Sequence, residues 1–230
     1  MFKNKSTLYC FSPPVMIATV IIELCLLVWI LARKALKQRQ GRIIALVLLM
    51  LAVFQFAEYN ICGRLGLHGY QWAEIGFMSI TLLPPLGVHL ISTYNDKLTR
   101  SWKAVVILAY ANAALWLGMF ALGGIITGES CGGNYAIFDI RDPATTFYTL
   151  YYYLWLGIAV VMAYLLNKRT LEKRRQLEWF IIGYATFLIP TGITALVRPA
   201  ALRGVPSIMC GFAVIYAFIL AFKVFDKSAK

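Results

Sequence analysis

Glu23 and Glu58 sit inside uninterrupted apolar runs. A charged side chain in such a run costs on the order of 2.5–3.5 kcal/mol, so it marks proton binding, coupling or ligand contact. Gln55, Glu58, Tyr59 and Cys62 follow i, i+3, i+4, i+7 spacing and therefore share one helical face. Thr191, Thr194 and Arg198 form a second such face. The planar guanidinium of Arg198 suits a two-point carboxylate contact. Glu58 and Arg198 are thus expected to pair at an outward-opening, ligand-binding polar cavity. Gln55, Tyr59, Thr191 and Thr194 would supply its neutral hydrogen-bonding groups. A third polar stripe runs through Glu74, Thr81, His89 and Ser92. The alternative is that these groups satisfy one another as glue between helices and bind nothing.

Glu23 has no cation in its own run. It is expected to face the interior, either protonated or hydrogen-bonded, with Gln55, Asn112, Thr186 and Tyr216 as partners at similar depth. His89 and Asn112 are further intramembrane polar groups, and the lone histidine is expected to be structural. Cys10, Cys62 and Cys131 fall on or near one side, while Cys25 and Cys210 lie inside apolar runs. An oxidising compartment permits one disulfide among the first three. Cys62 with Cys131 is favoured, because Glu129-Ser130-Cys131-Gly132-Gly133-Asn134 reads as a turn able to fold over the second run; that all are free is the alternative. No pair has zinc-ligand spacing, so no metal is expected.

The elements that must position these groups are set by hydropathy. Of 230 residues, 60% are hydrophobic and only 14% charged, with a mean hydropathy of +0.71. A soluble chain carries about 25% charged residues. The apolar residues fall into seven blocks, 15–32, 43–61, 75–93, 104–126, 146–166, 177–197 and 205–222. Each is long enough to cross a hydrocarbon core of about 30 Å as a helix. Because they lack the alternation of barrel strands, an all-α membrane bundle of one domain is expected, running from residue 1 to 230. Pro84-Pro85 and Pro190 must interrupt hydrogen bonding in the third and sixth spans. Trp29, Trp102, Trp116, Trp155, Trp179 and the Tyr151-Tyr152-Tyr153 run are read as interface anchors or bundle packing. Ala109, Ala113, Ala114, Gly118, Gly123 and Gly124 give the fourth span a small face suited to close packing.

Sixteen Lys and Arg flank the loops after the first, third and fifth spans and the C-terminal tail, against six on the other side. The positive-inside rule places the N-terminus outside and the C-terminus in the cytoplasm of a cell membrane, by inference a prokaryotic inner membrane. The net charge of +12 is thereby explained by topology, with membrane lipids and not nucleic acid as the partner.

Several chemistries lack their residues. The last span has no lysine for a retinal Schiff base, and only His68 and His89 are present to hold haem or zinc. No aspartate lies within a span, and no Pro-Gln repeat occurs. Neither a cofactor nor catalysis is expected.

The run Phe54-Gln55-Phe56-Ala57-Glu58-Tyr59, then Trp72-Ala73-Glu74-Ile75-Gly76-Phe77 continuing into Leu82-Leu83-Pro84-Pro85-Leu86-Gly87-Val88-His89, carries a resemblance. Over about residues 45–95 it resembles the seven-helix membrane region at the N-terminus of bacterial histidine kinases and related signalling proteins. Pro206-Ser207-Ile208-Met209-Cys210-Gly211-Phe212 fits as well. The resemblance implies an N-out sensory bundle. Only eight residues come after Phe222, so output in cis is not expected. Three functions are compatible with this pattern: a sensor-like module signalling through a separate protein partner, an accessory subunit of a larger membrane complex, and a small-solute transporter or channel using Glu23 and Glu58.

Overall fold

The computed structural model describes residues 13–63, 68–95, 99–131, 136–168, 171–197 and 205–225. Seven helical segments are long and apolar enough to cross a membrane. They form a multi-pass bundle from α1 (Pro13–Ala32), α2 (Arg39–Gly63), α3 (Gly69–Thr81), α4 (Leu83–Ser92), α5 (Arg100–Ala121), α6 (Ala144–Asn167), α7 (Arg174–Val197) and α8 (Val205–Ile219). α3 and α4 together make the third span.

The division of the third span is caused by its prolines. Pro84 and Pro85 fall in the first turn of α4, where a backbone N–H is not needed within the helix. Pro85 cannot donate to the Thr81 carbonyl, four residues back. That carbonyl instead accepts the Tyr151 hydroxyl of α6 at 2.6 Å. The Thr81 hydroxyl donates to the Phe77 carbonyl at 2.6 Å and lies 3.0 Å from the Tyr148 hydroxyl. A break legible as two prolines is therefore closed by two tyrosines from another span.

The fourth span stops at Ala121, five residues short of the expected end. Gly123 and Gly124 have φ of 75° and 83°, the left-handed region that ends helices. Beyond these glycines the chain forms a β-hairpin that hydropathy did not suggest. β1 (Ile126–Cys131) and β2 (Ala136–Ile140) pair antiparallel, from Ile126 opposite Ile140 to Cys131 opposite Ala136, with an irregularity between Ile126 and Gly128. β1 packs on α2 and α3. The expected small face of α5 is only half used: Ala109 and Ala113 are buried, whereas Ala114 and Gly118 are exposed.

α2 is the central helix, packed against α1, α3, α4 and α8. Its Ile44, Leu48, Phe54 and Ala57 are fully buried. Phe77, Trp116, Phe120, Tyr148 and Tyr151 cluster between α3, α5 and α6, with Phe77 stacked on Phe120 and Tyr148 edge to face with Phe77, Trp116 and Phe120. The outer surface is apolar: Val28, Ile107 and Leu115 are 65%, 67% and 69% exposed, while Glu23, Gln55 and Glu58 are buried. Apolar groups outside and polar groups inside is the arrangement a bilayer favours. At the end carrying the basic loops, the Tyr94 hydroxyl donates to Val224 O at 2.8 Å and Lys173 Nζ donates to Tyr94 O at 3.3 Å. These bonds tie α4 and α7 to the π-helical turn Leu220–Val224 that ends the last span.

Candidate functional site

α1, α2 and α8 meet around the two carboxylates. Glu23 is completely buried, as expected, and lies within electrostatic reach of Glu58. Neither Glu23 oxygen has a hydrogen-bond partner among the described residues. The expected partners are engaged elsewhere or remain apart. Thr186 donates to the Gly183 carbonyl at 2.6 Å, the side chains of Tyr216 and Tyr184 bond each other, and Asn112 is half-buried on α5.

Glu58 is 1% exposed and hydrogen-bonded to Ser207 of α8, which leaves its Oε1 without a partner among the described residues. Gln55, one turn earlier, is also buried, and its Nε2 has no partner among them. Cys210 completes the group on α8. It is free, buried, and within electrostatic reach of both glutamates. The shared face of Gln55 and Glu58, with a half-buried Tyr59, is thus as the spacing predicts.

The partner helix differs from the expected one. α2 presents Glu58 to α8, whereas α7 packs on α6 and α8. Thr191 and Thr194 of α7 turn back onto their own helix, donating to the Phe187 and Pro190 carbonyls at 2.6 and 2.8 Å. Back-bonding of this kind uses the one proton each hydroxyl can donate and leaves only its oxygen as an acceptor. Arg198 lies outside the described residues, and the expected Glu58–Arg198 pair with it. His89 is structural in its contacts: its Nδ1 lies 3.1 Å from the Tyr110 hydroxyl, the two rings packed edge to face.

A cavity of about 390 Å³ lies beside this group, between α3, α6, α8 and the hairpin. Phe77, Tyr148, Tyr152 and Tyr153 wall it, Met209 and Cys210 are its inner end, and Asp139, Asp142, Thr145 and Thr149 stand at the more exposed end. Gln55, Glu58, Tyr59, Thr191 and Thr194 do not line it. Pockets for small ligands span about 300–1,000 Å³ and are mostly apolar with a few polar groups. Sequence reasoning missed this site because three spans and a hairpin build it, from residues far apart in the chain whose convergence no local pattern shows. The one available signal was Tyr151-Tyr152-Tyr153, whose hydroxyls need partners when buried.

The free thiols among the described residues are Cys25 and Cys210. Cys62 is not one of them, and its expected pairing with Cys131 lies outside the described side chains. No metal-binding group of three or more His, Cys, Asp or Glu occurs among the described residues. No protein-family model, curated protein or solved structure matches the chain.

Proposed function

We propose that the chain is a sensor-like membrane module with its N-terminus outside, which binds a small molecule in an outward-opening cavity and signals through a separate cytoplasmic partner. The observation that carries this reading is the cavity at the α3–α6–α8 junction, with the buried Glu23–Gln55–Glu58 group beside its inner end. The charge distribution of the loops supports the orientation, since the hairpin end is poor in Lys and Arg. The resemblance over residues 45–95 to the membrane region of bacterial histidine kinases supports the sensory role. β1 packs on α2, the helix that ends with Cys62, and we take a Cys62–Cys131 disulfide to fasten the hairpin there. A ligand wedged between α3, α6 and α8 would alter how α8 packs on α2 and α7. The Tyr94–Val224 and Lys173–Tyr94 bonds would carry that change to the basic face.

The test is thermal unfolding of the chain in lipid nanodiscs across a small-molecule library. Cavity ligands raise the Tm of the native chain and leave Thr149→Trp, which fills the exposed end, unchanged. Equal shifts in both proteins, or none in either, contradict the proposal.

A second reading has its own observation. Buried carboxyl oxygens without partners among the described residues suit proton-coupled transport. Ligand-dependent proton flux into liposomes that is lost in both Glu23→Gln and Glu58→Gln would favour it over sensing.

A further inference from the structure

Trp29 and Trp179 read as interface anchors in the sequence, and the structure gives each of them a cation. Arg33 follows the last residue of α1, and its N–H still bonds back to the Trp29 and Ile30 carbonyls at 3.3 and 3.1 Å. That continued turn sets residues 29 and 33 one above the other, with the Arg33 guanidinium 4.1 Å from the centre of the Trp29 ring. The same ring meets Phe222 of the terminal turn, their centroids 4.5 Å apart. Lys223, the next residue, holds its Nζ 5.4 Å from the Trp179 ring of α7. The turn packs on both α1 and α7, so these five side chains form one belt at the end carrying the basic loops.

An aromatic face attracts a cation through its quadrupole but does not neutralise it. Arg33 and Lys223 are exposed. The ion pair among the described residues is Arg174 with Glu178, so neither cation of the belt meets a carboxylate among them. Next to the belt the surface is apolar and open: Val28 of α1, Phe218 of α8 and Phe222 are 65%, 43% and 51% exposed. Phe218 stacks on Phe222 with centroids 6.2 Å apart, which extends the ring surface one turn deeper. Two unneutralised cations beside an apolar strip match an anion that carries hydrocarbon chains. Free phosphate would use the cations alone, and a zwitterionic lipid brings its own cation to its phosphate.

We propose that this seam binds one phospholipid of net negative charge, with its phosphate on Arg33 and Lys223 and an acyl chain along Phe222, Phe218 and Val28. The arginine fork suits phosphate oxygens, and the flexible lysine adds a second point of charge. Basic loops attract anionic leaflets in general; the belt goes further and fixes one lipid at one place. The site shares no residue with the cavity, so neither proposal depends on the other.

The experiment uses the full chain in nanodiscs of mixed phosphatidylglycerol and phosphatidylcholine, and native mass spectrometry reads the ratio of the two lipids that the released chain retains. The expected result is a preference of about tenfold or more for phosphatidylglycerol, lost in the double variant Arg33→Gln/Lys223→Gln. Lys37→Gln/Arg42→Gln removes the same charge from exposed positions in the neighbouring basic loop and should keep the preference. Arg33→Lys, which keeps the charge over the ring, should keep most of it. Excess inorganic phosphate should not displace the lipid. A native chain without preference overturns the proposal, as does an equal loss in both double variants, which would mean diffuse surface charge. Displacement by inorganic phosphate would overturn the lipid as occupant.

Discussion

Tyr151→Phe removes one oxygen and leaves the ring in place. The Tyr151 hydroxyl is the donor to the Thr81 carbonyl, which its own helix cannot satisfy because Pro85 has no N–H. Tyr151 is 3% exposed and Thr81 fully buried, so bulk water does not replace the donor. Leaving one buried carbonyl unpaired costs about 1–3 kcal/mol. Hydrogen bonds between membrane helices average nearer 0.6 kcal/mol, because the separated helices find other partners. Here the proline persists in the separated state too, which places the expected cost near the middle, at about 1–2 kcal/mol. For a chain of this size that lowers Tm by roughly 2–8 °C. The assay is thermal unfolding in nanodiscs, run as a double-mutant cycle with Pro85→Ala. The added N–H can reach Thr81 O, so Tyr151→Phe should cost much less in the Pro85→Ala background. A loss smaller than about 0.3 kcal/mol, or coupling near zero between the two sites, would refute the idea that the tyrosine completes the proline break.

Further outcomes concern the buried groups. Glu23→Gln keeps shape and removes an ionisable group that has no cation among the described residues; it should leave Tm within about 2 °C, whereas Glu23→Lys should prevent recovery of folded protein in a gel-filtration and thermal assay. Gly87→Ala would place a Cβ on the Tyr184 hydroxyl. It should destabilise by about 1–3 kcal/mol, and Tyr184→Phe in the same chain should recover part of the loss in thermal unfolding. If the two changes simply add, Gly87 is not held by that contact.

Hydropathy and charge alone made the seven spans legible, because each span must satisfy its backbone internally and so announces itself locally. The inward face of α2 was legible for the same reason, since Gln55 and Glu58 are spaced by one helical turn. The surface that meets that face was not legible. Nothing in Ser207 or Cys210 marks α8, rather than the polar row of α7, as the neighbour of Glu58, and Thr191 and Thr194 look available in the sequence although their hydroxyls bond their own carbonyls. The hairpin was hidden because Ile126–Ile140 mixes apolar residues with glycine, charge and turn residues over strands too short to impose a period. The Pro84-Pro85 interruption was visible, but Tyr151, which bonds the freed Thr81 carbonyl, stands 70 residues beyond Thr81 and reads as packing. Spans and their faces are local properties, whereas the pairing of faces, which decides where the cavity lies, is not.

The most direct test is the sidedness of the cavity. Asp142→Cys, at the exposed end, and Glu172→Cys, in the basic loop before α7, are each introduced into a chain in which Cys10, Cys25 and Cys210 are alanine. A membrane-impermeant maleimide is then applied to intact cells and, separately, to permeabilised ones. An outward-opening cavity requires that Cys at 142 is labelled in intact cells, and Cys at 172 only after permeabilisation. The reverse pattern would turn the cavity toward the cytoplasm and contradict an external ligand altogether.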